Sequence, residues 1–393
     1  MLTGFELVFG SVMVLMMFIY MGIIMAFTLG LVRAAKSCPD AAGRLDKAST
    51  GKPVLFVSVI IPVRNETGNI RGILEEMRRQ DYPADLMEIL VTDDFSEDDT
   101  LEVAGRFAKE FPGFPLVLIP ADSPDLNGPG KKRAVARAVN LARGKIILCT
   151  DADTSRGPGW ISSMAGCFVH ADTQMVLGPV VLDRGNNLLQ KIQAIEFMGI
   201  MGTTAGSAEL GCPVMCNGAS LAYRRTAFVK TGGYGSNVQF ASGDDQFLMA
   251  AVRKMYGKQS VVFNLDPAAV VSTGPEGTLK GFLNQRIRWV SKSRGYNDPV
   301  VIGVGMVTWF VHVFLLAGLA AGMLFPRILW LSLGLWIVKM MAEFPMVWTM
   351  NRFFGKRKLL RYYLAAQAFQ LVYVALAGML GLFLPYRWKG RKH

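Results

Sequence analysis

VLFVSVIIPV, residues 54–63, is the stretch that decides the fold of this chain. It is a continuous apolar run rich in Val and Ile, which is typical of a strand buried on both faces in a parallel sheet. Asn65 follows this run and is placed to cap a helix predicted from about Gly68 to Gln80. The chain therefore opens its central region with a strand, a turn and a helix.

The same alternation of apolar run and helix continues to residue 153. Further strands are predicted in MEILVTDD (87–94), PLVLIP (115–120) and KIILCTDAD (145–153). Helices are predicted between them, from about Asp98 to Glu110 and in KKRAVARAVNLA (131–142) after the turn Gly128-Pro129-Gly130. Beyond them a strand is predicted near MVLGPVVL (175–182) and a helix through LLQKIQAIEFMG (188–199). This order predicts a three-layer α/β domain, in which ligands bind beyond the carboxyl ends of the strands.

Long apolar segments bracket this domain on both sides. Residues 7–32 carry no charge and are long enough to cross a bilayer, and a start that contains Glu6 favours a retained anchor over a cleaved signal peptide. Residues 304–325, 328–350 and 362–385 are further candidate spans. The second of these carries Lys339 and Glu343, which predicts a re-entrant or inward-packed segment, with either a salt bridge between helices or a substrate contact.

The net charge of +12 comes from basic residues that lie beside these apolar segments, so it does not predict a nucleic-acid partner. Four basic segments beside the apolar runs carry +17, so the rest of the chain carries −5. These basic segments are 31–52, 278–295, 351–361 and 384–393. Such flanks are typical of the cytoplasmic side of a membrane protein, with anionic lipid head groups as secondary partners.

Acidic motifs close two of the predicted strands and open a later helix. Asp151-Ala-Asp153 follows an apolar strand, and a turn there would let both carboxylates reach one Mg²⁺ or Mn²⁺ together with diphosphate oxygens. Asp93 and Asp94 also follow a strand, where one of them is expected to accept from a nucleobase, the alternative being a cap on the next helix. The three histidines and five cysteines show no zinc-ligand spacing.

Two further groups complete the candidate site. Asp245 precedes an apolar helical stretch and is placed to act as the general base that transfer to a hydroxyl requires, although Asp244 and Asp245 at a helix start could instead answer the helix dipole. Lys131 begins a helix after a Gly-rich turn and could reach a phosphate. In QRIRW (285–289), Gln285 shares a helix face with Arg288 and Trp289, which suits phosphate and a sugar face; an interfacial amphipathic helix is the alternative.

The order of these motifs resembles that of family 2 glycosyltransferases with a GT-A fold. The resemblance covers about residues 53–295 and rests on IIPVRNE, VTDDFSEDD, the DAD triplet, NGASLAYRR with GGY, GDD and QRIRW. Membrane-bound relatives include ceramide glucosyltransferase and the synthases of cellulose, hyaluronan, chitin and poly-N-acetylglucosamine. Two departures are visible, since Asp244 stands where Glu is usual and VSKSRGY follows the Trp.

The resemblance implies a role for each candidate residue. The donor nucleotide is expected among residues of the first strands and helices, the metal at the DAD triplet, the base at Asp245, and the diphosphate and acceptor beside the last motif. The donor-binding residues are Arg64, Glu66, Asp93, Asp94, Lys131 and Asp151; the metal ligands are Asp151 and Asp153; the diphosphate and acceptor residues are Asp244, Gln285, Arg288 and Trp289.

The resulting hypothesis is a membrane-bound, inverting glycosyltransferase that moves a sugar from a nucleotide donor, expected to be a UDP-sugar, to a membrane lipid. A processive polysaccharide synthase that extends a growing glycan is the alternative; a transporter or a nucleotidyltransferase is disfavoured. The expected organisation is an anchor (1–34), a basic linker (35–52), a GT-A domain (53–235), an acceptor segment (236–298) and a C-terminal membrane region (299–393).

The expected location is the cell membrane, with the catalytic domain in the cytoplasm, where nucleotide sugars are made. Three full C-terminal spans would put the basic tail YRWKGRKH outside, against the positive-inside rule. One C-terminal apolar segment is therefore expected to be re-entrant or interfacial.

Overall fold

The computed structural model describes residues 3–37, 55–121, 130–234, 243–383, 387–388 and 391–392. Residues 38–52 of the basic linker, Gly128-Pro129 and most of the tail at 384–393 lie outside these ranges. The chain divides into two compact units. We call Ala34–Arg184 with Ala208–Gly274 the sheet unit, and Met1–Arg33 with Gly185–Ser207 and Pro275–His393 the helical unit.

The α-helices and strands of the described residues alternate through the first half of the chain, and helices dominate the second half. In chain order they are α1 (Gly4–Ser37), β1 (Val57–Val63), α2 (Thr67–Arg78), β2 (Met87–Asp93), α3 (Thr100–Glu110), β3 (Leu116–Ile119), α4 (Gly130–Leu141), β4 (Ile146–Cys149), β5 (Ser155–Arg156), α5 (Trp160–Gly166), β6 (Met175–Leu177), β7 (Val180–Leu182), α6 (Leu188–Glu209), β8 (Leu221–Arg224), α7 (Arg225–Lys230), α8 (Asp244–Tyr256), β9 (Val261–Phe263), β10 (Val271–Thr273), α9 (Leu279–Ser291), α10 (Pro299–Ala321), α11 (Pro326–Phe353), α12 (Tyr363–Leu380), β11 (Arg387–Trp388) and β12 (Arg391–Lys392).

The sheet unit is built on a seven-stranded sheet of order β3-β2-β1-β4-β8-β6-β9. The first four strands in this order are parallel, and β8 runs antiparallel to both β4 and β6. The apolar runs that predicted β1 to β4 are confirmed as these parallel strands. Parallel register places the carboxyl ends of β1, β2 and β4 at one edge, which is where the acidic motifs begin.

The core of this unit follows from strands that are buried along their whole length. Every residue of β1 and β2 is buried, as the continuous apolar runs predict. On one face, Val135 and Ala138 of α4 join Ile60, Leu90 and Ile147 of the sheet in a single apolar cluster. The predicted α/β fold is therefore confirmed in the described residues.

The stretch MVLGPVVL, predicted as one strand, forms two strands in two different sheets. β6 belongs to the large sheet, whereas β7 pairs with β10 in a three-stranded sheet of order β5-β10-β7. Gly178 and Pro179 separate them, and a Cβ at Gly178 would lie 1.9 Å from Ser220 Oγ. Pro179 has no N–H to donate to a ladder, so the chain changes sheets at this dipeptide.

Within its described residues, the helical unit contains four helices that are long and apolar enough to cross a membrane. They are Gly4–Lys36, Pro299–Ala321, Pro326–Phe353 and Arg357–Leu380, and each corresponds to one segment predicted from the sequence. Met13, Met17 and Tyr20 of α1 pack with Val311 of α10 and Leu371 of α12 in one apolar cluster. The α1, α10 and α12 helices thus share a core.

The Lys339–Glu343 pair of α11 is packed inward, one of the two arrangements expected from the sequence. The Nζ of Lys339 lies 2.7 Å from Glu343 Oε1 and also donates to Gln367 and Gln370 at 2.9 Å each. Tyr20 of α1 donates its hydroxyl to the same carboxylate oxygen, Glu343 Oε1. Because each charge has its opposite and several hydrogen-bond partners, the pair joins α1, α11 and α12 as a buried polar contact.

Close backbone approach fixes the crossing of α6 with α1 inside the helical unit. A Cβ on Gly206 would lie 1.9 Å from the carbonyl oxygen of Phe27. One turn earlier on α6, a Cβ on Gly202 would lie 2.4 Å from Met346 of α11. Only residues without a side chain allow helices to approach this closely.

Replacing Gly206 with Ala is expected to destabilise the helical unit by about 1–3 kcal/mol, because the added methyl must push the two backbones apart. Thermal unfolding of the purified chain in detergent measures this effect. Gly22→Ala is the matched control, since nothing lies within 4 Å of a Cβ at that position of α1. Equal melting temperatures for the two variants would contradict the tight crossing.

Candidate functional site

The turns after β1 and β2 are laced together by hydrogen bonds. Arg64 Nη1 donates to the carbonyl of Asp94 at 3.0 Å, and Arg64 lies 3.5 Å from Glu97 as an ion pair. Asn65 was expected to cap α2, but its Oδ1 accepts from the Glu97 backbone N–H at 2.8 Å instead. With φ at 53°, Asn65 adopts a left-handed turn conformation that aims its side chain across to the neighbouring loop. The backbone N–H of Glu66, a buried residue, donates to Thr100 Oγ1 at 2.8 Å.

The two carboxylates at the end of β2 have different surroundings. Both oxygens of Asp93 accept from the Ser96 N–H at 3.2 Å, and Oδ1 also accepts from the Ser96 hydroxyl at 2.6 Å. Asp94 lies against the first residue of α4, because a Cβ on Gly130 would sit 1.8 Å from Asp94 Oδ1. Asp93 therefore stabilises its own turn, whereas Asp94 faces a helix start, where the N–H groups favour negative charge.

The DAD triplet lies at the carboxyl end of β4 beside the start of α4. Lys131 Nζ lies 2.6 Å from Asp151 Oδ1, and both side chains are partly exposed. Asp153 is exposed. The Thr154 hydroxyl donates to the Asp151 carbonyl at 2.6 Å, and this bond closes the turn that carries Asp151 and Asp153. The expected turn, which frees both carboxylates from strict strand alternation, is present.

Asp245 lies at the first turn of α8 and is held by two backbone donors. Its Oδ2 accepts from the Gly218 N–H at 3.0 Å and its Oδ1 from the Gln246 N–H at 2.8 Å. A Cβ on Gly218 would lie 3.8 Å from Asp245 Oδ2 and 3.9 Å from Lys131 Nζ. Asp244 is the first residue of the same helix.

Lys131, Asp151 and Asp245 line one cleft in the sheet unit. The cleft is bordered by Pro62, Lys131, Thr150, Asp151, Gly218 and Asp245, among others. The structure thus brings together a cation and the two carboxylates that the sequence predicted separately. Apart from its resemblance to the family, NGASLAYRR gave no signal of a role in the site, yet its Gly218 N–H contacts Asp245 directly.

A buried arginine beneath the DAD turn was not found from the sequence. Arg156 donates from Nη1 to Thr150 Oγ1 at 2.9 Å and from Nη2 to the Thr154 carbonyl at 2.8 Å. Its Nε lies 3.3 Å from Glu76 Oε2, and its side chain has no exposed surface. Burial lowers the pKa of Arg156 to about 10, against the attraction of Glu76 and Asp151. The guanidinium remains charged at neutral pH and, through its bonds to Thr150 and Thr154, stabilises both ends of the turn.

The DAD carboxylates fit a hard divalent cation. Carboxylates provide oxygen ligands, which Mg²⁺ and Mn²⁺ prefer. Asp153 is exposed, so a cation from solvent can reach it. No group of three His, Cys, Asp or Glu side chains placed to hold a metal occurs in the described part of the chain. Such a cation would therefore share its coordination with oxygens from a bound diphosphate or water.

The QRIRW motif lies on α9, in the helical unit. Gln285, Arg288 and Trp289 are each partly exposed, whereas Arg286 is buried. Gln285 Nε2 donates to Glu276 Oε1 at 3.3 Å, and the Trp289 ring centroid lies 6.4 Å from that of Phe197. The predicted helix is confirmed, and the roles of its three motif residues stay a prediction.

Arg156→Met is expected to destabilise the sheet unit by about 3 kcal/mol, because Glu76 and the Thr150 hydroxyl lose a buried cationic partner. Chemical denaturation followed by tryptophan fluorescence measures the change. Arg106→Met is the control, since it removes a solvent-exposed ion pair with Glu102 at 3.1 Å and should leave stability near wild type. If both variants unfold at the same denaturant concentration, Arg156 does not brace the turn.

Known proteins resemble this chain in sequence and in fold. An N-acetylglucosaminyltransferase of Rhizobium meliloti (strain 1021) is 25% identical over 61% of this chain and 55% of its own length. A probable glycosyltransferase, YdaM, of Bacillus subtilis (strain 168) is 28% identical over 63% of this chain and 56% of its own. The chain thus spans little more than half the length of these two relatives.

Among solved structures, a mannosyltransferase of Pyrobaculum calidifontis, in complex with GDP-Man and Mn²⁺, superposes with a TM-score of 0.58. It is 18% identical and covers 94% of this chain and 99% of its own, so this likeness concerns the fold. The predicted GT-A-type fold is confirmed. The sequence pattern of glycosyl transferase family 21 matches residues 14–390, and the chain belongs to that family of glycosyltransferases.

Proposed function

We propose that this glycosyltransferase moves a sugar from a UDP-sugar to a lipid in the membrane, with inversion at the anomeric carbon. The single observation that carries the proposal is the cleft of the sheet unit, where Lys131, Asp151 and Asp245 line one space. A cation and a metal-binding carboxylate suit a diphosphate, and a second carboxylate suits a hydroxyl that must lose its proton.

The donor would occupy the carboxyl ends of the parallel strands. Asp94, next to the start of α4, would accept from the nucleobase, and Arg64 and Glu66 would hold the loops that border it. Asp93 would contribute indirectly, because its oxygens accept from Ser96. Lys131, 2.6 Å from Asp151, would offset charge on the diphosphate.

A divalent cation belongs to this proposal. Asp151 and Asp153 would hold Mg²⁺ or Mn²⁺, which supplies Lewis-acid stabilisation of the leaving diphosphate when bound. The solved mannosyltransferase with the same fold carries Mn²⁺ and GDP-Man, which supports a metal and a nucleotide sugar.

Asp245 would act as the general base. Its two backbone N–H donors, from Gly218 and Gln246, hold the carboxylate in one orientation towards the cleft. The acceptor hydroxyl would lose its proton to Asp245 and attack the anomeric carbon from the face opposite the diphosphate. The nucleoside diphosphate would leave as the new glycosidic bond forms.

A lipid acceptor is favoured by the four long apolar helices, which could place the chain in a bilayer. Basic flanks beside those segments favour a cytoplasmic sheet unit. Gln285, Arg288 and Trp289 on α9 are proposed to serve the diphosphate and the acceptor, together with Asp244. A processive synthase remains the alternative product class, and relatives named N-acetylglucosaminyltransferases make UDP-N-acetylglucosamine the first donor to test.

A donor screen tests this function. The purified full chain in lipid nanodiscs is incubated with Mn²⁺, extracted membrane lipids and UDP-, GDP- or dTDP-sugars, and release of the nucleoside diphosphate is measured. We expect release with a UDP-sugar and a lipid that carries one added sugar in the inverted configuration. A long polymer would identify a synthase, and absence of release with every donor would overturn the proposal.

Asp245→Asn is expected to lower transfer by about a hundredfold to ten-thousandfold, because the amide cannot accept the acceptor proton. Affinity for UDP in the presence of Mn²⁺, measured by calorimetry, should stay near wild type. Asp172→Asn, at an exposed position of the sheet unit, is the matched control and should retain full transfer. Near wild-type transfer by Asp245→Asn would show that another group is the base.

A further inference from the structure

The second residue of QRIRW, Arg286, is built into the helical unit in a way that its neighbours are not. Only 4% of Arg286 is exposed, whereas Gln285, Arg288 and Trp289 are partly exposed. A buried guanidinium needs partners for its charge and its donors, because it stays protonated in proteins. Its partners come from two other helices and from the motif itself.

Glu196 of α6 is the counter-ion. Its Oε2 accepts from Arg286 Nη2 at 2.6 Å, and the two side chains are 4% and 5% exposed, respectively. Tyr373 of α12 donates its hydroxyl to the other oxygen of Glu196. The ion pair is therefore enclosed, and it fixes α9 to α6 and α12.

Arg286 also sets the orientation of the Gln285 amide. Its Nη1 donates to Gln285 Oε1 at 2.8 Å. Because a guanidinium can only donate, the amide oxygen must face Arg286 and the amide NH₂ must point the other way. That NH₂ donates to Glu276 Oε1 at 3.3 Å. The hydrogen-bonding face that Gln285 can offer is decided by its neighbour.

The indole of Trp289 is held by the same guanidinium. The Arg286 Cζ lies 4.2 Å from the ring centroid of Trp289. It also lies 4.5 Å from the ring centroid of Phe282, which is one helical turn before Arg286 on α9. A cation at this distance is attracted to a ring face, and more strongly when it is desolvated. The Arg286 guanidinium therefore covers part of the Trp289 ring, and this contact limits the orientations that the indole can adopt.

We propose that Arg286, anchored by Glu196 and Tyr373, is a positioning residue that orients Gln285 and Trp289 for the sugar transfer. The inference rests on the proposed function for the roles of those two residues. The buried ion pair of Arg286 with Glu196 of α6 sets the geometry of the motif. Arg286 itself is enclosed and acts through its neighbours.

Variants that separate positioning from folding test this inference. Arg286→Met leaves Glu196 buried without its cation, so the melting temperature should fall. The double variant Arg286→Met with Glu196→Gln removes both charges and should regain most of that loss. Arg286→Lys retains the charge near Glu196 but cannot form the same planar contacts with Gln285 and Trp289.

In all three variants we expect turnover to be about tenfold to a hundredfold below that of wild type. The reason is that the motif is misplaced in each of them, including the double variant in which stability is regained. Affinity for UDP with Mn²⁺ should remain within about twofold of wild type. The control is Lys339→Met with Glu343→Gln, which removes another buried ion pair of the helical unit, 2.7 Å long, without a motif residue. Return of turnover together with stability in the double variant would overturn the inference.

A measurement independent of activity keeps the two proposals distinguishable. The chain has seven tryptophans, so ¹⁹F NMR of the 5-fluorotryptophan-labelled protein gives a resolvable spectrum in which Trp289→Phe assigns one resonance. We expect that resonance to shift in Arg286→Lys and to stay in place in the Lys339 control. If it stays in place in every Arg286 variant, the positioning role is wrong. If it shifts but wild type releases no nucleoside diphosphate from any donor, the positioning of Trp289 stands and the proposed function fails.

Discussion

The buried guanidinium of Arg156 is the contact on which the carboxylate site of the sheet unit depends. A turn that carries two acidic residues repels itself unless a positive charge lies nearby, and backbone carbonyls that face inward need donors. Arg156 meets both needs, since it binds the Thr154 carbonyl and the Thr150 hydroxyl and lies near Asp151. Thr150 in turn donates to the Ala219 carbonyl at 2.8 Å, which ties the DAD turn to the segment that contacts Asp245.

Much of this architecture could be predicted from local sequence, because local rules govern it. A strand buried on both faces must be apolar throughout, so β1, β2 and β4 are visible as runs, and the acidic residues after them must lie at one sheet edge. The split of residues 175–182 was missed because a Gly-Pro pair can bend a strand or end it. In the folded chain this pair ends the strand, and Ser220 leaves no room for a side chain at Gly178.

The parts of the site that could not be predicted depend on partners far away in sequence. Arg156 binds Glu76, 80 residues earlier, and no spacing rule connects them. Asn65 looked like a helix cap because its type and position fit one, yet its side chain is used by the loop 32 residues later. Asp93 and Asp94 are adjacent and chemically identical, and the positions of Ser96 and Gly130 give them different surroundings.

Buried charge follows one physical rule in three places among the described residues. Arg156 with Glu76, Arg286 with Glu196 and Lys339 with Glu343 each pair a cation with a carboxylate. Each cation also donates to a hydroxyl, amide or carbonyl oxygen. Such pairs add little net stability compared with apolar packing, and we infer that their main role is to fix one geometry. The first lies under a carboxylate turn and the second within an aromatic motif, where geometry matters most for chemistry. The third joins apolar helices, where an unpaired charge would be most costly, and there it specifies which helix faces meet.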